Sequence, residues 1–207
     1  MKPRFIVVVA GLVLVWLSTA LAFAQPGGVG VAGSGTLVIK PLIEKKVTEL
    51  PPGPLFWRVE SFATLARAQA AAGQLGLVTE SGGKVWLLTL GPAGGSSDGG
   101  TKMAEIGPLP PVAAPAYLLR VNEARGPSGS VTPVHSHPGA EAAYVLAGEQ
   151  TFRTPHGVKR VAAGQAEAGR AAGTPMQVSS SGSVDLHALV MFVVDATKPF
   201  SSPATLK

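Results

Sequence analysis

Four histidines occur in the 207 residues, and two of them stand one residue apart in GSVTPVHSHPGAEAAYVLAGE, Gly129 to Glu149. Glu141 follows His137 by four residues. On a strand, residues i and i+2 share a face, so His135 and His137 present both imidazoles to one side. Their Cβ atoms then lie roughly 6–7 Å apart, a separation that one metal ion bridges. Pro138-Gly139 bends the chain, and Glu141 enters the next strand, where its carboxylate can return to the same ion. Two imidazoles and one carboxylate leave coordination positions open for water or substrate. This donor set suits non-haem iron best, with manganese, nickel, copper and zinc also in range. On residue types alone, a solvated His-x-His pair on a polar loop competes with the metal reading.

Such a site needs a rigid frame, and the surrounding pattern supplies strands. After Lys102 the stretches MAEIGPLPPV, YLLRVNEA, EAAYVLAGEQTFRT, VKRVAAG and DLHALVMFVVD are strand-like, with Gly, Pro and Ser clusters between them. Short strands at this spacing predict a sandwich or a small barrel. Thr154-Pro155-His156-Gly157 reads as a hairpin turn. If Glu141 points inward, Ala143 and Val145 share its face and line a cavity, joined by Phe152 from the neighbouring strand, while Tyr144 and Leu146 point away.

Ahead of this region, residues 36–100 read as a small strand-helix-hairpin module. TLVIKPLIEKKVTEL predicts one or two short strands broken at Pro41, and LFWRVESF another after the Pro51-Pro52-Gly53-Pro54 turn. SFATLARAQAAAG predicts a helix capped by Ser61 and ended by Gly73. LGLVTESGGKVWLLTLG predicts a hairpin turning at Ser81-Gly82-Gly83.

The frame Gly129, five residues, His135, one residue, His137, three residues, Glu141, six residues, Gly148 resembles the first motif of the cupin family. Pro138-Gly139 and the trailing YVLAGEQTFRT, in which Gly148 turns one strand into the next, resemble that family too. The resemblance is specific over about Tyr117 to Asp195 and says little of residues 36–100. It implies a mainly β protein: a cupin-type jelly-roll β-barrel over about 102–197 with a small N-terminal α/β extension and a tail at 198–207. It also implies a divalent transition metal on His135, His137 and Glu141 and a small organic molecule as ligand, and it is compatible with a homodimer. Glu141 would be a metal ligand or, swung off the metal, a general base.

The second motif of that family normally supplies a further histidine. The matching region here is VAAGQAEAGRAAGTPMQVSSSG, where Gly164 fits the strand-entry glycine and Ala172-Gly173-Thr174-Pro175 resembles the turn. Met176 stands at the histidine's place, with Gln177 next if the register is off by one. Three consequences are open: a metal held by His135, His137 and Glu141 alone; Met176 as a soft thioether ligand favouring copper; or no metal, with these groups binding an organic ligand. His187 could replace the missing ligand if its face of DLHALVMFVVD lines the barrel. His156, in a turn, reads as solvated. Asp185 and His187 with one of Ser179 to Ser181 share a serine triad's composition only, since no Gly-x-Ser-x-Gly elbow exists.

The chain opens MKPRFIVVVAGLVLVWLSTALAFAQPG, with Lys2 and Arg4, an apolar run from Phe5 to Leu17, and Ala22-Phe23-Ala24 before Gln25. This is the layout of a secretory signal peptide over residues 1–24, followed by a flexible tether at 25–35. The expectation is a periplasmic or secreted protein with no membrane contact after cleavage. There is no cysteine, so burial rather than disulfides must stabilise the fold. The formal charge is +5 without a basic cluster or aromatic interleaving, which argues against nucleic acid as a partner. Gly28-x-Gly30-x-x-Gly33 matches the dinucleotide fingerprint only formally, because no strand precedes it. Gly91 to Gly100 reads as a loop rather than a phosphate cradle. The functional expectation is a metal-dependent oxygenase or isomerase. Its rivals are a non-catalytic ligand- or metal-binding protein and a structural barrel.

Overall fold

Alternation and Gly/Pro punctuation shape residues 35–206, the part of the chain that the computed structural model describes, into fourteen strands and one short helix. The signal peptide and nearly all of the tether expected from sequence lie outside the described residues. The elements run β1 Val38–Val47, β2 Phe56–Phe62, α1 Leu65–Ala71, β3 Gly76–Ser81, β4 Lys84–Gly91, β5 Thr101–Ile106, β6 Tyr117–Gly126 and β7 His135–Ser136. They continue with β8 Gly139–Ala147, β9 Glu149–Thr154, β10 Gly157–Ala162, β11 Ala166–Arg170, β12 Gln177–Ser180, β13 Leu186–Asp195 and β14 Ser202–Pro203.

A five-stranded antiparallel sheet, β1-β6-β13-β8-β11, forms the middle layer. One of its faces meets the sheet β10-β9-β12, which single bridges Val131–Ser179 and His135–Met176 extend toward β7 and β14. This is the two-sheet interior expected of a rolled barrel, and Phe152, Val178, Leu186, Ala188, Val190 and Phe192 pack inside it. The opposite face meets a four-stranded sheet, β3-β4-β2-β5, through Trp57, Trp86, Leu119, Val121, Leu189 and Met191. Burial on both sides explains why β13 reads LHALVMFVVD, apolar at odd and even positions alike. Each fully buried Leu, Val or Phe contributes roughly 1.5–3 kcal/mol, the source of stability available to a chain without disulfides.

Two strands cross the boundary that composition suggests near residue 100. β1 pairs with β6 in the middle sheet, and β5 pairs with β2 in the outer one. Pro41 does not break β1: it sits at a register shift between Pro41 and Ile43 on the sheet's edge, where its missing N–H is tolerated. The helix is capped by Thr64, whose Oγ1 accepts from the Arg67 amide at 3.3 Å, rather than by Ser61. Ser61 is taken up by β2, which runs on to Phe62 because Phe62 packs under α1 with Ala68, Val85 and Leu87. The Gly82-Gly83 turn joins β3 to β4 with positive φ at both residues, the geometry a two-residue hairpin requires. Among the described residues no helix is long and apolar enough to cross a membrane.

Candidate metal centre

His135 ends a bridge to Met176 in which each backbone N–H donates to the other's carbonyl, at 2.9 and 2.8 Å. This pins the histidine strand to the small sheet. His137 follows directly, and Gly139 then lets β8 run tight against β13: a Cβ there would fall on the Val193 carbonyl. Glu141 is thereby carried, three residues into β8, onto the inward face of the middle sheet beside Phe192. One ligand atom from each of His135, His137 and Glu141 lies within 4.8 Å of the others. The two imidazole rings are 5.0 Å apart and nearly perpendicular.

The protonation pattern follows from the partners. Nδ1 of His135 is 2.9 Å from the Pro133 carbonyl, and Nδ1 of His137 is 2.7 Å from the Phe200 carbonyl. A carbonyl only accepts, so each Nδ1 carries the hydrogen and each Nε2 presents a lone pair in the neutral ring. Burial holds His137 below the ordinary histidine range, against the opposing pull of Glu141 and the Phe200 carbonyl. Its Nε2 lone pair faces Glu141 Oε2 at 3.6 Å, and that oxygen is buried with no hydrogen-bond partner. Two acceptors thus face one another in a buried position with no protein donor between them, and a cation satisfies both. The carbonyls that orient the rings are the outer-shell partners metal-bound histidines ordinarily have.

A cavity of about 370 Å³ opens beside these groups, at the small end of the range for ligand pockets. Its walls are mostly apolar, including Val178, Val190, Phe192 and Phe200, with Asn122 and Gln150 among its polar groups. Ala143 and Val145 share Glu141's inward face, as alternation predicts, and Phe152 faces inward from β9 in the opposite sheet, but all three are packed into the core and do not line the cavity. Tyr144 points to the opposite layer, as expected.

The other sequence candidates fall in different places. Met176 is directly across from His135 and 1% exposed, packed in the inter-sheet core. Gln177 donates its amide to the Thr132 carbonyl at 3.2 Å. His187 is on the far face of β13, where its Nε2 meets Glu123 Oε1 at 3.0 Å and Ser81 Oγ at 2.8 Å. It is not a substitute ligand, because the barrel-facing residues of β13 are Ala188, Val190 and Phe192. Nor is it part of a triad: serine and carboxylate meet the same ring nitrogen. His156 is exposed in the β9–β10 turn.

Sequence reasoning missed the tail. Phe200 packs tilted against His137 with ring centres 4.7 Å apart, and β14 pairs with β7. Phe200 to Pro203 line the cavity. The aromatic residue after Lys198-Pro199 was the one available signal. Gln150 and Asn122 were missed too, since single polar residues inside strands carry no signature.

No family model and no curated protein matches the chain. Among solved structures it is similar to a DMSP lyase from Ruegeria pomeroyi, at 25% identity over 42% of this chain and 43% of that one, TM-score 0.37. It is similar to a conserved protein of unknown function from Streptococcus pyogenes, at 24% identity over 37% and 64%, TM-score 0.34. A cupin superfamily protein from Desulfitobacterium hafniense aligns at 12% identity over 37% and 68%, TM-score 0.34. The chain therefore spans 64% and 43% of the first two relatives' lengths. The chain is thus a mainly β protein of packed antiparallel sheets, with His135, His137 and Glu141 gathered beside a cavity.

Proposed function

We propose that this is a metal-dependent protein acting on a small organic molecule outside the cytoplasm, with His135, His137 and Glu141 as the metal ligands. The observation that supports it best is the unsatisfied pair of acceptors, Glu141 Oε2 and His137 Nε2, in a buried site whose ring tautomers are already fixed. The ligand set leaves positions open, as in two-histidine, one-carboxylate sites. A bound divalent ion would supply Lewis-acid polarisation of a substrate oxygen, suited to oxygenase or isomerase chemistry. Glu141 neutralises charge at the site and, off the metal, accepts a proton from substrate. Val190, Phe192 and Phe200 give the cavity beside these ligands an apolar wall. Met176, at the position opposite His135, fills the fourth ligand's place without a nitrogen donor, which favours a three-ligand centre.

A second reading is a non-catalytic binding protein, favoured by Met176 standing where a fourth histidine is usual. Metal analysis of protein recovered from the native host tests the metal centre, and sequencing of its N-terminus tests export. The proposal expects near-stoichiometric iron, manganese, nickel, copper or zinc, lost in His135→Ala, and a first residue near Gln25. No bound metal, with no effect of added metal on melting, refutes the metal-dependent reading.

A further inference from the structure

Gln150 lies on β9, where alternation turns Gln150 and Phe152 inward and Thr151 and Arg153 outward. Its side chain lines the same cavity as His135, His137 and Glu141. It is 1% exposed, and its Oε1 has no hydrogen-bond partner. A buried amide oxygen with nothing to accept from is costly, and such groups in native proteins ordinarily have a partner. Asn122, the other amide in the cavity, already accepts from Arg120 Nε at 2.9 Å. Among the described residues no lysine or arginine lines the cavity, and Arg120 and Arg170 are held behind the Phe200 and Phe152 rings, so an anionic group far from the metal would find no direct ion pair.

We propose that Gln150 is the specificity-determining residue of this cavity. Its ligand is a small, largely apolar organic molecule with an oxygen for the metal at one end and a neutral hydroxyl for the Gln150 amide at the other. A hydroxyl both donates and accepts, so it satisfies the amide in either orientation. The inference rests on the metal reading above for the first end only. A site that hydrogen-bonds a substrate hydroxyl rejects the analogue lacking it far more strongly than a purely apolar pocket does.

The test uses three catechols that share the metal-binding diol and differ at the far end: hydroxymethylcatechol, ethylcatechol and dihydroxybenzoate. Their affinities are measured by calorimetry on zinc-loaded and metal-free protein, with zinc uptake titrated separately. Wild-type protein is expected to bind hydroxymethylcatechol about tenfold tighter than ethylcatechol, and dihydroxybenzoate most weakly. Gln150→Leu inverts the first preference and leaves zinc stoichiometry unchanged. Without ligand it melts higher than wild type, because the orphan acceptor is gone. Gln150→Met, unbranched like glutamine, repeats the comparison in a side chain of matched shape. Equal binding of the first two probes by wild type, an unchanged order in both variants, or no binding of any probe overturns the inference. So does a lower melting temperature in both variants, which would mean the amide is held by Ser180, its neighbour across the strand pair. Loss of zinc uptake with the hydroxyl preference retained strikes the metal reading alone. Stoichiometric zinc with no far-end preference strikes this inference alone.

Discussion

Replacing Glu141 by glutamine should have opposite effects on the metal-free and the metal-loaded protein. Glu141 and His137 are 3% and 5% exposed, and the carboxylate Oε2 faces a ring nitrogen that has no proton to offer, 3.6 Å away. Without metal, Glu141→Gln supplies an N–H where two acceptors now confront one another, a gain offset in part by loss of the charge that faces buried Arg170. Relief of one unsatisfied buried group is worth about 1–3 kcal/mol. At about 2–4 °C per kcal/mol for a domain of this size, metal-free Glu141→Gln should melt roughly 2–12 °C above wild type. With metal present the order reverses, because an amide is a poor ligand. Wild type gains about 2.7 kcal/mol at a hundredfold excess over Kd, and the variant gains little of it. Thermal unfolding followed by circular dichroism, in chelator and in saturating zinc, reads both limbs. A metal-free variant that melts lower, or a zinc-induced shift equal to that of wild type, would refute the argument that the carboxylate is poised for a cation.

Two further outcomes are expected. Truncation after Pro199 removes the Phe200 carbonyl that orients His137 and the strand that pairs with β7; metal affinity measured by competition with a chelator should fall about 10- to 100-fold, and an unchanged affinity would show the tail to be incidental. The Glu123–His187–Ser81 cluster between the middle and outer sheets should make metal-free protein acid-labile. Burial opposes the ionised form of Glu123, yet hydrogen bonds from Arg125 and Ser81 hold its pKa down to about 2, and burial together with Arg125 pushes His187 below its usual range. Both folded-state values are depressed, so both contributions are present at neutral pH and lost on acidification, His187's first below about 6.5. Glu123's contribution goes between about 4.5 and 2 and is at most on the order of 3 kcal/mol. Melting temperature against pH should decline through both windows, and Glu123→Gln should flatten the lower one; an unchanged acid limb in that variant would discount the cluster.

The β character of the chain and the His135, His137 and Glu141 grouping were legible in the sequence because both are local. Alternation fixes which side chains share a face of a strand, and Pro138-Gly139 fixes where the chain turns between the histidines and the glutamate. The Gly82-Gly83 and Pro155-His156 turns were legible for the same reason, since the turn chemistry lies within four residues. Which layer each face meets is a different matter. DLHALVMFVVD is apolar on both sides, so no pattern within it says that Val190 and Phe192 face the barrel while His187 and Leu189 face the outer sheet. Pairings between distant segments were equally hidden: β1 beside β6, β14 beside β7, and the Phe200 carbonyl on His137. The same holds for Gln150, whose type and neighbours are unremarkable on β9 and whose role depends on a cavity lined by segments scattered from Ile39 to Pro203. The sequence alone determined the donor atoms and the strand periodicity that presents them. Only tertiary structure decided their tautomers, their burial and what shares their cavity, because those depend on contacts between residues far apart along the chain.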